Sequence, residues 1–228
     1  MKGGRRYLKD VIYGANDGII TTFAVVAGVA GADLSPLVVV LLGGANLIAD
    51  GFSMAVSNYL GSKSEHDLIQ KEYREKFTEV AQTPRHEQNE MKALLVEQGY
   101  AEGDAEDLSR LMFKNKEFFV DLMMHEELEV SSHSKNNMLQ GAAATFGAFV
   151  LAGCIPLLPF FVLGGMVNLF WYSIVATMCA LFLVGSLRSI VTKSPWFFAG
   201  AEMLVVGGVA AALAYAVGAL LKMFVGVI

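Results

Sequence analysis

Cysteine, proline and charge are all scarce in this 228-residue chain. Two cysteines, Cys154 and Cys179, sit inside apolar runs. Neither looks like part of a disulfide framework or a zinc site, and both read as small packing residues. Five prolines leave long stretches without a breaker, and none interrupts the chain between Pro36 and Pro84. Charged residues make up 17% and hydrophobic ones 54%, where a soluble domain is about one quarter charged. No cleavable signal is evident. MKGGRRYLKD is basic, but the run behind it carries Asp17 and continues too long for a signal core.

The few charges are also segregated. Seventeen of 22 acidic residues, ten of 17 basic ones and all four histidines lie between Ser62 and Asn136. The remainder is nearly charge-free, which is the pattern of an integral membrane protein with one hydrophilic insert. An acidic, histidine-bearing insert argues against nucleic acid and for cations. The expected fold is all-α and polytopic: two spans with a basic N-terminus in 1–61, a helical insert in 62–136, and three further spans in 137–228. Each apolar run has about 20 residues or more, enough for the hydrocarbon core.

Within the insert, the second span is expected to continue as a helix to Pro84. A second helix follows from Pro84–Arg85 to Gly99, a third after Gly103 with Asp104 as N-cap, and a last from Lys116. Pro156 and Pro159 mark the end of the third span. Sixteen of the 17 Lys and Arg residues fall on one side if the N-terminus is cytoplasmic, leaving Lys222 on the other. The insert is then cytoplasmic too.

Polar side chains inside the first two spans carry the functional reading. A carboxylate at the bilayer centre costs about 2.5–3.5 kcal/mol on insertion scales, so it is read as functional by default. Asp17 is such a group, with Thr21 one turn along. Asn46, Asp50 and Met54 recur every fourth residue and share one narrow helix face. A carboxylate with a thioether and an amide oxygen makes a mixed hard and soft site. It suits Fe²⁺, Mn²⁺, Co²⁺ or Zn²⁺ better than Ca²⁺. The plainer alternative is that Asn46 and Asp50 are interhelical hydrogen-bonding groups and Met54 is packing.

The insert adds three carboxylate stripes: Glu72, Glu75 and Glu79; Glu87 and Glu90; and Glu127 one turn from Met123 and Met124. Any one stripe alone reads as a solvated face, but carboxylates beside paired thioethers again suit Fe²⁺-like ions. His66, His86, His125 and His133 could add ligands, although surface histidine is the default. HEELE at 125–129 is not an H-E-x-x-H zinc motif, because position 129 is Glu. Glu202 either snorkels at the start of the fifth span or lines the path.

DGIITTFAVVAG (17–28), ADGFSMAVSNYLGSKSE (49–65), REKFTEVAQTPRHEQNE (74–90), FVDLMMHEELE (119–129) and IPLLPFF (155–161) occur in the order and spacing of one family. On these segments, and over essentially its whole length, the chain resembles the vacuolar iron transporters. The resemblance implies a homodimer with five spans per protomer and a cytoplasmic metal-binding domain. It implies movement of Fe²⁺, and often Mn²⁺, out of the cytosol by proton antiport, with no organic cofactor. It places the family's first-span Asp on Asp17 and its second-span Met on Met54. Its cytoplasmic glutamates fall on Glu79, Glu87 and Glu90, with Glu75 a near match, and its Met-Met-x-x-Glu ligands on Met123, Met124 and Glu127. Plant-type members carry Glu where this chain has Asn46, so either Asp50 takes over that charge or proton coupling differs.

Two other classes remain open on sequence grounds: an intramembrane aspartyl protease using Asp17 and Asp50 as a dyad, and a membrane-anchored metal sensor or store that moves nothing. No G-x-G-D signature surrounds either Asp, and an anchor needs no polar line inside its spans. The short N-terminus points to a prokaryotic inner membrane rather than a vacuole.

Overall fold

A computed structural model describes residues 7–128, 137–163 and 168–226; the side chains of 126–128, 191, 192 and 225 are not described. The described residues are helical, with no strand among them. They form α1 (Leu8–Gly31), α2 (Pro36–Gln82), α3 (Pro84–Glu97), α4 (Glu102–Met112), α5 (Lys116–Leu128), α6 (Met138–Gly153), a single 3₁₀ turn (Ile155–Leu157), α7 (Leu158–Val162), α8 (Leu169–Thr192) and α9 (Trp196–Val225). Five segments are long and apolar enough to cross a membrane, as expected: α1, the start of α2, α6 through α7, α8 and α9. The chain divides into two compact units, one of 1–59 with 137–228 and one of 60–136.

In the first unit, glycine decides which helices touch. A Cβ on Gly14 would strike the Thr145 carbonyl oxygen, and one on Gly18 would strike that of Phe149. Gly14 and Gly18 lie one turn apart, so they open a strip along α1 against which the α6 backbone lies. This is the small-residue packing that lets helices associate in lipid without a hydrophobic driving force. On α1's other end, Gly31 meets the Tyr215 carbonyl of α9, and Gly218 of α9 meets that of Gly28. The apolar cluster of this unit, Phe23, Val26, Val29, Val39, Leu47, Phe149 and Leu157, joins α1, α2, α6 and the 3₁₀ turn.

Pro156 ends α6, because its ring cannot continue the helix. The Pro156 carbonyl accepts a hydrogen bond from Ser173 Oγ of α8 at 2.7 Å. The α1–α2 link turns through Asp33, which has a φ of 58°, and Asp33 pairs with Lys222 of α9 at 2.7 Å.

The second unit has its own core of Val80, Met91, Phe119, Val120, Met123 and Met124, edged by Ile69, Tyr73, Leu95, Met112, Phe113 and Leu122. Helix α2 does run unbroken to Gln82, since nothing before Pro84 can stop it. Helix α4 begins three residues earlier than an Asp104 N-cap implies. Ala101 occupies its N-cap, and Glu102 and Asp104 both lie in the first turn. There their charges complement the helix dipole, without a side-chain cap.

Candidate functional site

Two groups of polar side chains emerge, one in each unit. In the first, Asn46, Asp50 and Met54 are all half-buried on α2. Asn46 Nδ2 donates to Asp50 Oδ2 at 2.7 Å. That bond holds one carboxylate oxygen in place and leaves the other available. Asp17 of α1 is also half-buried. Thr21 turns back to donate to the Asp17 main-chain carbonyl at 2.9 Å, so its hydroxyl does not occupy the Asp17 carboxylate. Met54 packs against the apolar cluster that includes Phe23 of α1.

The α2 line extends one turn further than the sequence reading took it. Asn58, four residues beyond Met54, donates to Thr145 Oγ1 of α6 at 2.7 Å and to Asp10 Oδ1 of α1 at 3.1 Å. Asp10 stands seven residues before Asp17 and so shares its face of α1. Both periodicities were present in the sequence. Asp10 lies at the basic mouth of the first span, and Asn58 is an amide, which alone reads as packing. Asn16 is a further polar group of α1 that no sequence motif marks. Its Oδ1 is buried without a hydrogen-bond partner. The residue lines a cavity of about 360 Å³ with Lys9, Tyr13, Arg188 and Met203. Glu202 bonds Arg188 at 2.8 Å and is largely exposed, which fits an interfacial pair.

In the second unit, Glu79, Glu87 and Glu90 converge on Lys76. The Lys76 Nζ atom lies 3.2 Å from Glu87, 3.6 Å from Glu79 and 3.8 Å from Glu90. His86 Nε2 lies 3.3 Å from Glu90 Oε1. His86, Glu87 and Glu90 can each present a ligand atom within 4.8 Å of the others. The geometry follows from sequence: α3 starts at Pro84, and positions 86, 87 and 90 fall on one side of its first two turns. Glu75, by contrast, is exposed and pairs with Lys71 at 3.7 Å. Met123 and Met124 are fully buried in the core of this unit. Glu127 belongs to the last turn of α5, and its side chain lies outside the described residues, as does all of His133.

The family model described as the VIT family matches residues 8–219. This chain belongs to the VIT family. Relatives named vacuolar iron transporter include one from Toxoplasma gondii, 36% identical over 96% of this chain and 76% of its own length. One from Plasmodium falciparum is 32% identical over 94% and 82%. A vacuolar iron transporter 1 from Arabidopsis thaliana is 31% identical over 91% and 83%. The VIT family is one of transporters rather than enzymes, which sets aside the protease reading of Asp17 and Asp50. The family match contains every α-helix start from α1 to α9 and both polar groups.

Proposed function

We propose that this VIT-family chain is a metal-ion transporter that exports Fe²⁺, and also Mn²⁺, from the cytosol by proton antiport, as a homodimer. The observation that carries the reading is the presence of half-buried carboxylates within spans of the first unit: Asp17 on α1 and Asp50 on α2, with Asp50 held by Asn46. Two carboxylates inside spans call for a cation or a proton to offset their charge. A carboxylate takes up one or the other at a given oxygen. Acid on the far side therefore displaces the metal by protonating the group that holds it, and that exclusivity is antiport. Met54 supplies a soft ligand that favours Fe²⁺ over Ca²⁺ or Mg²⁺.

The acidic insert collects the ion on the cytoplasmic side, with Glu79, Glu87, Glu90 and Glu127 as ligands, joined by Met123 and Met124 when the α5 core opens. Glu75 plays a peripheral part on the exposed face. The bias of Lys and Arg supports the orientation with both N-terminus and insert cytoplasmic. The names of the relatives support iron as cargo, and the membrane concerned is the vacuolar type in those relatives or a prokaryotic inner membrane here. Uptake of Fe²⁺ into proteoliposomes with an acidic interior is the test. Wild-type protein should load them and Asp17→Ala should not; equal uptake by the two would sink the reading. Competition by Mn²⁺ in the same vesicles tests the second cargo.

A further inference from the structure

A cation already sits among the carboxylates of the insert. The Lys76 side chain is only 10% exposed and that of Glu87 only 4%. A solvated acidic face has no need to bury a lysine, because taking an ammonium and a carboxylate from water is costly unless each compensates the other. Compensation here is incomplete. Glu87 Oε2 lies 3.2 Å from the ammonium yet makes no hydrogen bond. Its charge is offset while its lone pairs stay unsatisfied. Glu87 also belongs to the His86, Glu87 and Glu90 group, in which one ligand atom from each residue comes within 4.8 Å of the others. An imidazole with two carboxylates suits a divalent transition-metal ion.

We propose that Lys76 is a tethered counter-ion of this cluster, which a divalent transition-metal ion displaces on entering among His86, Glu87 and Glu90. The inference rests on the reading of the insert as the collector of cargo. A dication and an ammonium repel strongly at ligand distances, and Glu87 Oε2 cannot serve both. Binding therefore swings the lysine away, and release of the metal lets it return to cover Glu87. Lys76 thus weakens the site and lets go of its cargo without leaving a buried carboxylate bare. A transport site has the same requirement, since binding must be favourable enough to enter and weak enough to leave.

Full-length protein in detergent, titrated with Mn²⁺ alone by calorimetry, tests this. Lys76→Met should bind at least about tenfold more tightly than wild type, because a neutral side chain of similar length no longer repels the ion. Lys76→Arg keeps the charge and should stay within about threefold. A folded Lys76→Met protein with equal or weaker affinity overturns the proposal. A second measurement needs no variant. Acetylation followed by mass spectrometry should label Lys76 several-fold more at saturating Mn²⁺ than without it, while exposed Lys71 stays constant. Unchanged Lys76 labelling also overturns the proposal. Glu90→Gln separates the two layers: if it leaves wild-type Mn²⁺ affinity intact, the collector reading itself fails. If it weakens binding while Lys76→Met does not tighten it, only the role of Lys76 fails.

Discussion

Methionine and carboxylate have opposite settings in the two units. In the membrane-spanning unit, Met54 is half-buried on a line of polar residues, and Asp50 is held by an amide. In the insert, Met123 and Met124 are fully buried core residues, and Glu87 is held by a lysine. The cations of the spans that pair with acids, Arg188 and Lys222, bond Glu202 and Asp33, while the side-chain partner of Asp50 is the Asn46 amide. The insert can answer its own charges internally, so it can fold and wait. One residue type therefore lines a polar helix face in one unit and fills the core in the other.

The widest gap between the units should appear on removing one carboxylate from each. Asp17→Ala is expected to cut Fe²⁺ uptake by tenfold or more while leaving the thermal unfolding midpoint close to wild type. Glu87→Ala should do the reverse to stability. It removes the nearest and most buried partner of the Lys76 ammonium and leaves Glu79 and Glu90 at 3.6 and 3.8 Å. The cost should therefore fall below the roughly 3–5 kcal/mol of a fully uncompensated buried charge, readable by denaturant unfolding of the insert signal. If Glu87→Ala proves neutral, the ion pair is not what organises the cluster.

Glycine gives the next contrast. Gly18→Ala drives a methyl group into the Phe149 carbonyl and should destabilise by about 1–3 kcal/mol. Gly44→Ala meets nothing within 4 Å and should be neutral or slightly stabilising, since Ala favours the helix over Gly. Thermal melts of the two in the same detergent compare a helix contact with an open face. A smaller loss is expected on exchanging the buried sulfur: Met124→Leu conserves volume and should cost under about 1.5 kcal/mol in the metal-free protein. Any larger effect confined to the metal-loaded protein would move Met124 from packing to ligation.

The smallest effect concerns the link between α1 and α2. Its hydrogen bond and ion pair with Lys222 hold the Asp33 carboxyl below the usual carboxylate value. A depressed folded value means the contribution is present above the unfolded value and lost as the pH falls through the folded one. Asp33→Asn should thus lower the melting temperature slightly at neutral pH, and the difference should close in acid. A difference that persists or grows in acid would mean that the pair is not its source.

Much of this was legible without coordinates. Long apolar runs and the scarcity of breakers determine five spans and the unbroken α2, because a buried backbone in lipid has only the helix to satisfy it. Four-residue spacing puts Asn46, Asp50 and Met54 on one face for the same geometric reason. Periodicity also located the acidic stripes, but it describes one helix at a time. It could not tell that Glu75 turns to Lys71 while Glu79, Glu87 and Glu90 surround Lys76, since that grouping joins α2 to α3. Nor could it bury Met123 and Met124. Their exposure depends on what Phe119, Met91 and Val80 pack against, and a methionine near a glutamate looks the same in sequence whether it faces a metal or a phenyl ring. Tertiary packing alone decided these points, because counter-ions and core contacts are relations between helices, and amino-acid order specifies them only through the fold.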